Sequence, residues 1–178
     1  MMGFLQRGFA YGNRRGFAIP LYVPELKVEE QVEFNEIVGL DGHTGGKKWA
    51  GQHFWHAPNR KIATLAFYLV KLGNPTGDVT FIIREHPTDI VLLSKVWGDA
   101  SDVPTDLPPL VWTEAKFDAP TFINVVAEMV VQFSGGDGEN QIAVCRQSTN
   151  VKPDEEFVMD VEGHDPTKDA AYQYKYRE

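Results

Sequence analysis

The chain has 178 residues, of which 43% are hydrophobic and 24% are charged, and it contains one cysteine. This apolar fraction supports one sizeable domain with a core, which excludes a globally disordered chain. The glycine, proline and aromatic content favours a β-rich chain. The lone Cys145 excludes both an internal disulfide framework and a cysteine-based zinc site.

Charge divides the chain into a basic arm and an acidic body. Residues 1–24 contain Arg7, Arg14 and Arg15 and no acidic residue, which gives a charge of +3. Since the whole chain carries −8, residues 25–178 carry −11. Phosphate neutralisation dominates nucleic-acid affinity, so this acidic body argues against nucleic acid as a partner. We predict an extended anchoring arm at 1–24 and a β-sandwich domain at 25–178.

The arm repeats the motif Arg-Gly-Phe-Ala at residues 7–10 and 15–18. A disordered terminus and a docking arm fit this composition about equally well. Burial of a large apolar side chain is worth ~1.5–3 kcal/mol, and a flexible segment with five of them suits ordering on another chain. The residues predicted to dock on a neighbouring subunit are Phe4, Arg7, Phe9, Tyr11, Arg14, Arg15, Phe17 and Tyr22.

The arm also contains a sequence similar to an export signal. Arg14 and Arg15 resemble a twin-arginine signal, but Pro20, Pro24 and Glu25 interrupt the apolar run of ~7–15 residues that such a signal needs. No stretch elsewhere approaches the ~18–20 apolar residues of a membrane span. We therefore expect no membrane partner, and any export would occur without a conventional leader, for example inside a particle.

Local patterns predict a series of short strands in the body. Residues 25–38 fit a helix and two short strands about equally well, and the glycine-dense segment 39–46 is a loop. Segment 62–71 is apolar on both faces, which is typical of a central strand. Turn residues at 72–78 and at 134–138 predict two hairpins. The other predicted elements are strands at 52–57, 79–85, 110–117, 125–133, 141–147 and 171–176, a strand or short helix at 90–96, and a loop at 99–109.

About nine short strands without a convincing amphipathic helix predict an all-β fold. We expect an antiparallel β-sandwich or jelly roll with an extended N-terminal arm. Strict alternation at 171–176 places three tyrosines on one strand face, and Cys145 falls in strand 141–147, where a buried thiol is the ordinary state.

Several segments together carry a resemblance to a known family. They resemble a jelly-roll domain with a galactose-binding-like β-sandwich, found in bacterial surface proteins and phage structural proteins. The similarity covers roughly residues 50–178 and implies the fold more than the function. The segments are 52–54, the strand and turn at 62–80, the tryptophan-bearing strand and Phe-Asp-Ala-Pro corner at 111–120, the two strands at 129–144, and Asp-Ala-Ala-Tyr at 169–172.

The chain departs from that family in two places. Ala-Glu-Met at 127–129 stands where the family often has a tyrosine, and the arm has no counterpart. The resemblance also implies that a structural calcium ion can lie near the domain termini, although no residue of this chain is identified as its ligand.

The candidate reactive residues predict a non-enzymatic protein without catalytic or metal-ligating residues. His53 and His56 are three apart on a predicted strand, so they point to opposite faces and cannot chelate one ion together. His86 precedes Pro87 at a strand end, where a solvated histidine is ordinary. Acidic residues available for a paired-carboxylate site are more often simply solvated. They are Glu114, Asp118, Glu128, Asp154, Glu155, Glu156, Asp160 and Glu162.

Aromatic residues suggest an alternative role in binding glycans. Four tryptophans and the three C-terminal tyrosines could form a platform for sugar rings. We favour the simpler interpretation, in which Trp55 and Trp112 fill the core and the tyrosines line a strand face. Trp49, beside Lys47 and Lys48 in the glycine-rich loop, is predicted to be exposed and is the candidate glycan contact.

These observations favour a structural subunit of a virus-like or phage particle, such as a capsid decoration or tail-associated protein. Its arm would dock on neighbouring subunits, its partners would be other protein subunits in a homo-oligomer, and its location would be the virion. The alternative is a carbohydrate-binding jelly-roll module of a surface-displayed or secreted assembly.

Overall fold

The computed structural model describes residues 25–42, 46–105 and 111–178. In these ranges the chain forms antiparallel β-strands and one turn of 3₁₀ helix at Ala100–Asp102, which confirms the predicted all-β class. None of these ranges contains a helix with the length and apolar character that crossing a membrane requires. The predicted arm, with all eight of its proposed docking residues, lies outside the described residues.

The strands are β1 (Lys27–Gln31), β2 (Glu36–Leu40), β3 (Trp49–Phe54), β4 (Arg60–Phe67), β5 (Leu69–Leu72), β6 (Asp78–Glu85), β7 (Val91–Asp99), β8 (Thr113–Ile123), β9 (Ala127–Phe133), β10 (Gln141–Gln147), β11 (Glu155–Met159), β12 (Gly163–Asp165), β13 (Asp169–Ala170) and β14 (Tyr172–Arg177).

The described strands form three hydrogen-bonded sheets. The first has the order β1-β14-β4-β8, and the second has the order β13-β10-β2, with β5 also paired to β10. The third has six strands in the order β12-β11-β3-β9-β6-β7. Single residues, Tyr68 and Ala171, join β4 to β5 and β13 to β14, so the first two sheets are linked twice along the chain.

Side chains from all three sheets form one buried core. Its largest members include Phe67 from the first sheet, Leu69 from the second, and Phe81 and Phe133 from the third. Each such side chain contributes ~1.5–3 kcal/mol when fully buried. A single core shared by facing sheets is consistent with a β-sandwich.

Several local predictions are confirmed. Strand β10 has the predicted bounds, and its Cys145 is fully buried. The three alternating tyrosines of β14 are buried against the core. Residues 25–38 contain β1 and the start of β2, so the two-strand interpretation was correct there. Segment 62–71 is buried on both faces as expected, although Tyr68 divides it into β4 and β5.

Both predicted hairpins are wrong. The turn after β5 leads to β6 in the third sheet, whereas β5 pairs with β10 in the second. The turn after β9 likewise passes from the third sheet to the second. The two connections pack against each other: a Cβ on Gly135 would lie 2.1 Å from the Thr76 carbonyl oxygen, and the Asp78 amide donates to Ser134 Oγ at 2.9 Å. Turn residues determine where the chain reverses, but they do not determine which strand it pairs with.

The tryptophans also differ from expectation. Trp55 does not fill the core, because half of its surface is exposed. Trp112 is half-buried and stacks on the Tyr68 ring, with ring centroids 3.7 Å apart, outside the core cluster. Trp49 lies in β3 rather than in the glycine-rich loop, and it is half-buried. Aromatic side chains suit any half-buried sheet surface, and sequence alternation does not distinguish the core face from the outer face.

Candidate metal centre

The candidate site begins with a row of polar residues across four neighbouring strands of the third sheet. Register places Glu156 of β11 opposite His53 of β3, His53 opposite Glu128 of β9, and Glu128 opposite Arg84 of β6. Directly opposed residues in antiparallel strands have Cβ atoms ~4.5–5.5 Å apart, so neighbouring side chains in the row are in reach of each other.

This row lies on the sheet face that points away from the core. Phe54, Met129 and Ile83 alternate with the row residues and belong to the core cluster. Since successive strand side chains point to opposite faces, the polar row occupies the other face. Even so, His53, Glu128 and Glu156 are buried.

Two further histidines cover the row. His86 lies two residues beyond Arg84 and on the same face, and its amide donates to the Val126 carbonyl at 3.0 Å, which extends the pairing past the end of β6. His164 lies on β12 opposite Val158, next to the row. About a third of each of these two side chains is exposed.

All three imidazoles converge on one carboxylate oxygen, Glu128 Oε1. The distances to this atom are 3.1 Å from His86 Nδ1, 3.4 Å from His164 Nε2 and 3.8 Å from His53 Nδ1. One ligand atom from each of the four residues lies within 4.8 Å of all the others. We call His53, His86, Glu128 and His164 the histidine centre.

Charged neighbours hold two members of the centre in place. Arg84 Nε donates to Glu128 Oε2 at 2.7 Å, which leaves Oε1 facing the imidazoles. His164 Nδ1 is hydrogen-bonded to Glu156 Oε1, so its Nε2 points toward Glu128. Metal-binding histidines characteristically use their second ring nitrogen in this way, to bond a carboxylate.

His53 is the least expected member. It is fully buried, and neither of its ring nitrogens has a hydrogen-bond partner among the described residues. Burial, together with the neighbouring His164 and His86, lowers the pKa of His53 to about 4 against the opposing effect of Glu128. The exposed Trp55 ring contacts it edge-on, with centroids 4.8 Å apart. The imidazole is therefore neutral near pH 7, the form that binds a metal ion.

The donor spacing fits a transition-metal ion. Around a tetrahedral zinc ion with ligands at ~2.0–2.1 Å, donor atoms lie about 3.3–3.5 Å apart. The distances of 3.1–3.8 Å around Glu128 Oε1 bracket that range. The ligand atoms of the whole set lie within 4.8 Å of one another, so some side chains would have to move closer together to bind one ion. Hydrogen bonds of His86 to Glu128 and of His164 to Glu156 explain the placement of these two rings without an ion, but no such bond explains His53.

A cleft of about 250 Å³ opens beside the centre. Its lining includes three members of the centre, His86, Glu128 and His164, but not the buried His53. Trp49, Arg84 and Asp160 also line it, and the Arg84 guanidinium carbon lies 3.9 Å from the centroid of the Trp49 ring. The predicted glycan contact therefore lies in the wall of this cleft, with one ring face against an arginine.

A second ionic cluster lies at the start of β11 and includes Glu155, one of the acidic residues singled out in the sequence. Its carboxylate accepts a hydrogen bond from the Tyr172 hydroxyl at 2.6 Å, and Lys152 Nζ lies 3.8 Å from it. Lys152 also binds Glu29 at 2.8 Å, and Arg60 binds Glu29 at 3.0 Å. Burial raises the pKa of Glu155 to about 7, while bonds to Lys152 and Arg60 outweigh partial burial and lower that of Glu29. The hydrogen-bond donors and acceptors of this cluster bind each other, as they do in a structural network.

Sequence reasoning did not find the histidine centre. It compared His53 with His56 and concluded correctly that they do not share a site, since the His56 ring is 80% exposed and lies outside the centre. It expected a solvated His86, whereas the structure places this ring against Glu128. The strongest signal for this site in the sequence was Glu128, a lone carboxylate inside an apolar strand.

Comparison of the chain with models of known protein families, and with curated proteins, finds no match.

Proposed function

We propose that the protein binds a divalent transition-metal ion through His53, His86, His164 and Glu128. One observation carries the proposal: three imidazoles from separate strands and loops converge on one carboxylate oxygen, and the fully buried one has no other polar partner among the described residues. A buried polar group without a partner is costly, and an ion would satisfy it.

Charge supports the same proposal. Glu128 and Glu156 contribute a formal charge of −2 to the buried row, and Arg84 contributes +1. The row therefore keeps a net charge of −1, which favours the binding of a cation.

The donor set indicates which ions to expect. Three imidazole nitrogens and one carboxylate oxygen suit Zn²⁺, Co²⁺, Ni²⁺, Fe²⁺ or Cu²⁺. Ca²⁺ and Mg²⁺ prefer sites made of oxygen ligands, so we expect neither of them to bind here.

The test is titration of the untagged full-length protein with Co²⁺ and Zn²⁺, followed by visible absorption and calorimetry. We expect one ion per chain and displacement of Co²⁺ by Zn²⁺. Co²⁺ should quench part of the fluorescence of the four tryptophans, because the Trp55 ring contacts His53. His86→Ala and His164→Ala should abolish stoichiometric binding, since each removes a partly exposed ligand without opening the core.

His56→Ala is the matched control. This histidine is exposed, lies three residues from His53, and has its nearest ionic partner, Asp154, at 3.9 Å. It should bind the ion as the unmodified protein does. Binding that survives the double substitution of His86 and His164, or that disappears in His56→Ala, would refute the proposal.

The role as a particle subunit stays a separate proposal, supported by the division of charge between arm and body. Three other predictions also remain proposals: the jelly-roll classification, the non-enzymatic role, and the alternative of a glycan-binding module. Deletion of residues 1–24 followed by sedimentation tests the first: unchanged assembly would eliminate a docking role for the arm. A metal centre is compatible with either role, because it lies on the body.

A further inference from the structure

The two oxygens of the Glu128 carboxylate face different partners. Arg84 Nε donates to Glu128 Oε2 at 2.7 Å, and Arg84 Nη2 lies 2.5 Å from the same oxygen. The three imidazoles converge instead on Oε1, at distances of 3.1–3.8 Å. One oxygen is therefore bound to a guanidinium, and the other is directed at the histidines.

The ion pair between Arg84 and Glu128 is buried and supported on several sides. Register places the two residues directly opposite each other on neighbouring strands, and their side chains are 14% and 4% exposed. The guanidinium carbon lies 3.9 Å from the centroid of the Trp49 ring, and Asp89 Oδ1 lies 3.4 Å from Arg84 Nε. Charge-assisted hydrogen bonds are strong at buried sites, and an ion would have to break them to reach Oε2.

This arrangement sets how many donor atoms Glu128 offers to an ion. A carboxylate can bind an ion through one oxygen or through both. With Oε2 bound to Arg84, Glu128 provides one oxygen, and the histidine centre provides one donor atom from each of its four residues. Four such donors complete a tetrahedral zinc site, whereas a second oxygen would suit an ion such as Mn²⁺, which favours oxygen ligands and six-fold coordination.

We propose that Arg84 is a specificity-determining residue of the histidine centre, which favours Zn²⁺ over Mn²⁺ by restricting Glu128 to one coordinating oxygen. Arg84 acts through Glu128 and does not bind the ion itself. The inference rests on the proposed metal centre and adds the means by which that centre selects its ion. If Arg84 only balanced the charge of a buried carboxylate, its loss would change the affinities for both divalent ions by the same factor.

The experiment compares the Kd values of Zn²⁺ and Mn²⁺ for the full-length protein and for its Arg84→Met variant. Methionine keeps an unbranched side chain beside Trp49 but donates no hydrogen bond, so Oε2 becomes free to bind the ion. Zn²⁺ is measured by competition with a chromophoric chelator, and Mn²⁺ by the electron paramagnetic resonance signal of the free ion. The outer partners of a metal ligand contribute about 10–100-fold to affinity, so we expect the preference for Zn²⁺ to fall at least about tenfold. Because both ions carry the same charge, the lost charge of the arginine cancels in this ratio.

Arg146→Met is the matched control. Arg146 also lies in a strand, its side chain is 13% exposed, and its Nε lies 3.0 Å from Glu36 Oε2. Its guanidinium carbon lies 4.9 Å from the centroid of the Phe157 ring. The control therefore removes the same charge, a similar ion pair and a similar ring contact, but its carboxylate partner is not a member of the histidine centre. It should keep the preference of the unmodified protein for Zn²⁺.

Infrared difference spectra between the loaded and the ion-free protein give a second readout. The antisymmetric and symmetric stretches of a carboxylate lie further apart when one oxygen binds the ion than when both do. The unmodified protein loaded with Zn²⁺ should show the wide separation, and Arg84→Met loaded with Mn²⁺ should show the narrow one. The first of these spectra tests the inference even if the variant does not fold.

The outcomes separate the two proposals. An ion preference that is unchanged in Arg84→Met, or that falls equally in Arg146→Met, overturns the inference about Arg84. A narrow separation in the unmodified protein loaded with Zn²⁺ also overturns it. In each of these cases Zn²⁺ still binds, so the metal centre stands. If neither ion binds the unmodified protein, both proposals fall.

Discussion

Loading the histidine centre with Zn²⁺ is expected to raise the free energy of unfolding, because the ion would join β3, β9 and β12 to the segment after β6. A ligand that binds only the folded state at one hundred times its Kd stabilises it by about 2.7 kcal/mol. In a chain of 178 residues, each kcal/mol corresponds to about 2–4 °C in Tm. The unmodified protein should therefore gain about 5–10 °C.

The substitution His164→Ala tests the reasoning. Loss of an indirect partner of a metal ligand already lowers affinity by about 10–100-fold, so loss of the ligand itself should lower it at least 100-fold. At the same Zn²⁺ concentration the gain would then fall to about 0.4 kcal/mol, close to 1 °C. Circular dichroism melts with and without Zn²⁺ measure both proteins, with His56→Ala as the control. A gain in His164→Ala equal to that of the unmodified protein would refute the assignment of this residue.

Three further predictions concern residues outside the centre. Burial raises the pKa of Glu155 to about 7, above its ordinary value of 4.5, so the folded state retains the proton at a pH where the unfolded state has lost it. The free energy of unfolding should therefore fall as pH rises from about 4.5 to about 7. Urea titrations of Glu155→Gln should show a weaker fall, and a pH profile equal to that of the unmodified protein would contradict this. In Gly51→Ala the new Cβ would lie 2.0 Å from the Met129 carbonyl oxygen, so urea unfolding should show that the free energy of unfolding falls by about 1–3 kcal/mol. Gly98→Ala is the control, because there is open space around its Cβ, and it should show less than half of that loss. Burial raises the pKa of Cys145 to about 12, so a thiol reagent at pH 8 should label no thiol in the folded protein and one per chain in urea.

Local periodicity predicted most strands of this protein, because a strand's exposure pattern is a property of its own residues. Strand β10 and the tyrosine face of β14 follow from alternation alone. The pairing of strands did not follow, since turn residues specify a reversal and not a partner. Only long-range contacts place β5 beside β10 rather than beside β6.

The histidine centre could not be predicted from spacing for the same reason. Its members come from β3, the segment after β6, β9 and β12, and only the order of strands in the third sheet makes them neighbours. Spacing rules detect ligands that share one helix or one strand. Such a rule correctly indicates that His53 and His56 do not share a site, yet it carries no information about Glu128 or His164.

The location of the polar row has a consequence for how such a protein can change over time. Residues of β3, β6 and β9 that build the hydrophobic core alternate with those that build the row, so each strand supports two largely independent sets of side chains. Substitutions at His53 or Glu128 would alter one surface while Phe54 and Met129 continue to hold the sheets together. A lineage could therefore acquire, exchange or lose the centre through a few point mutations and keep the same sandwich throughout.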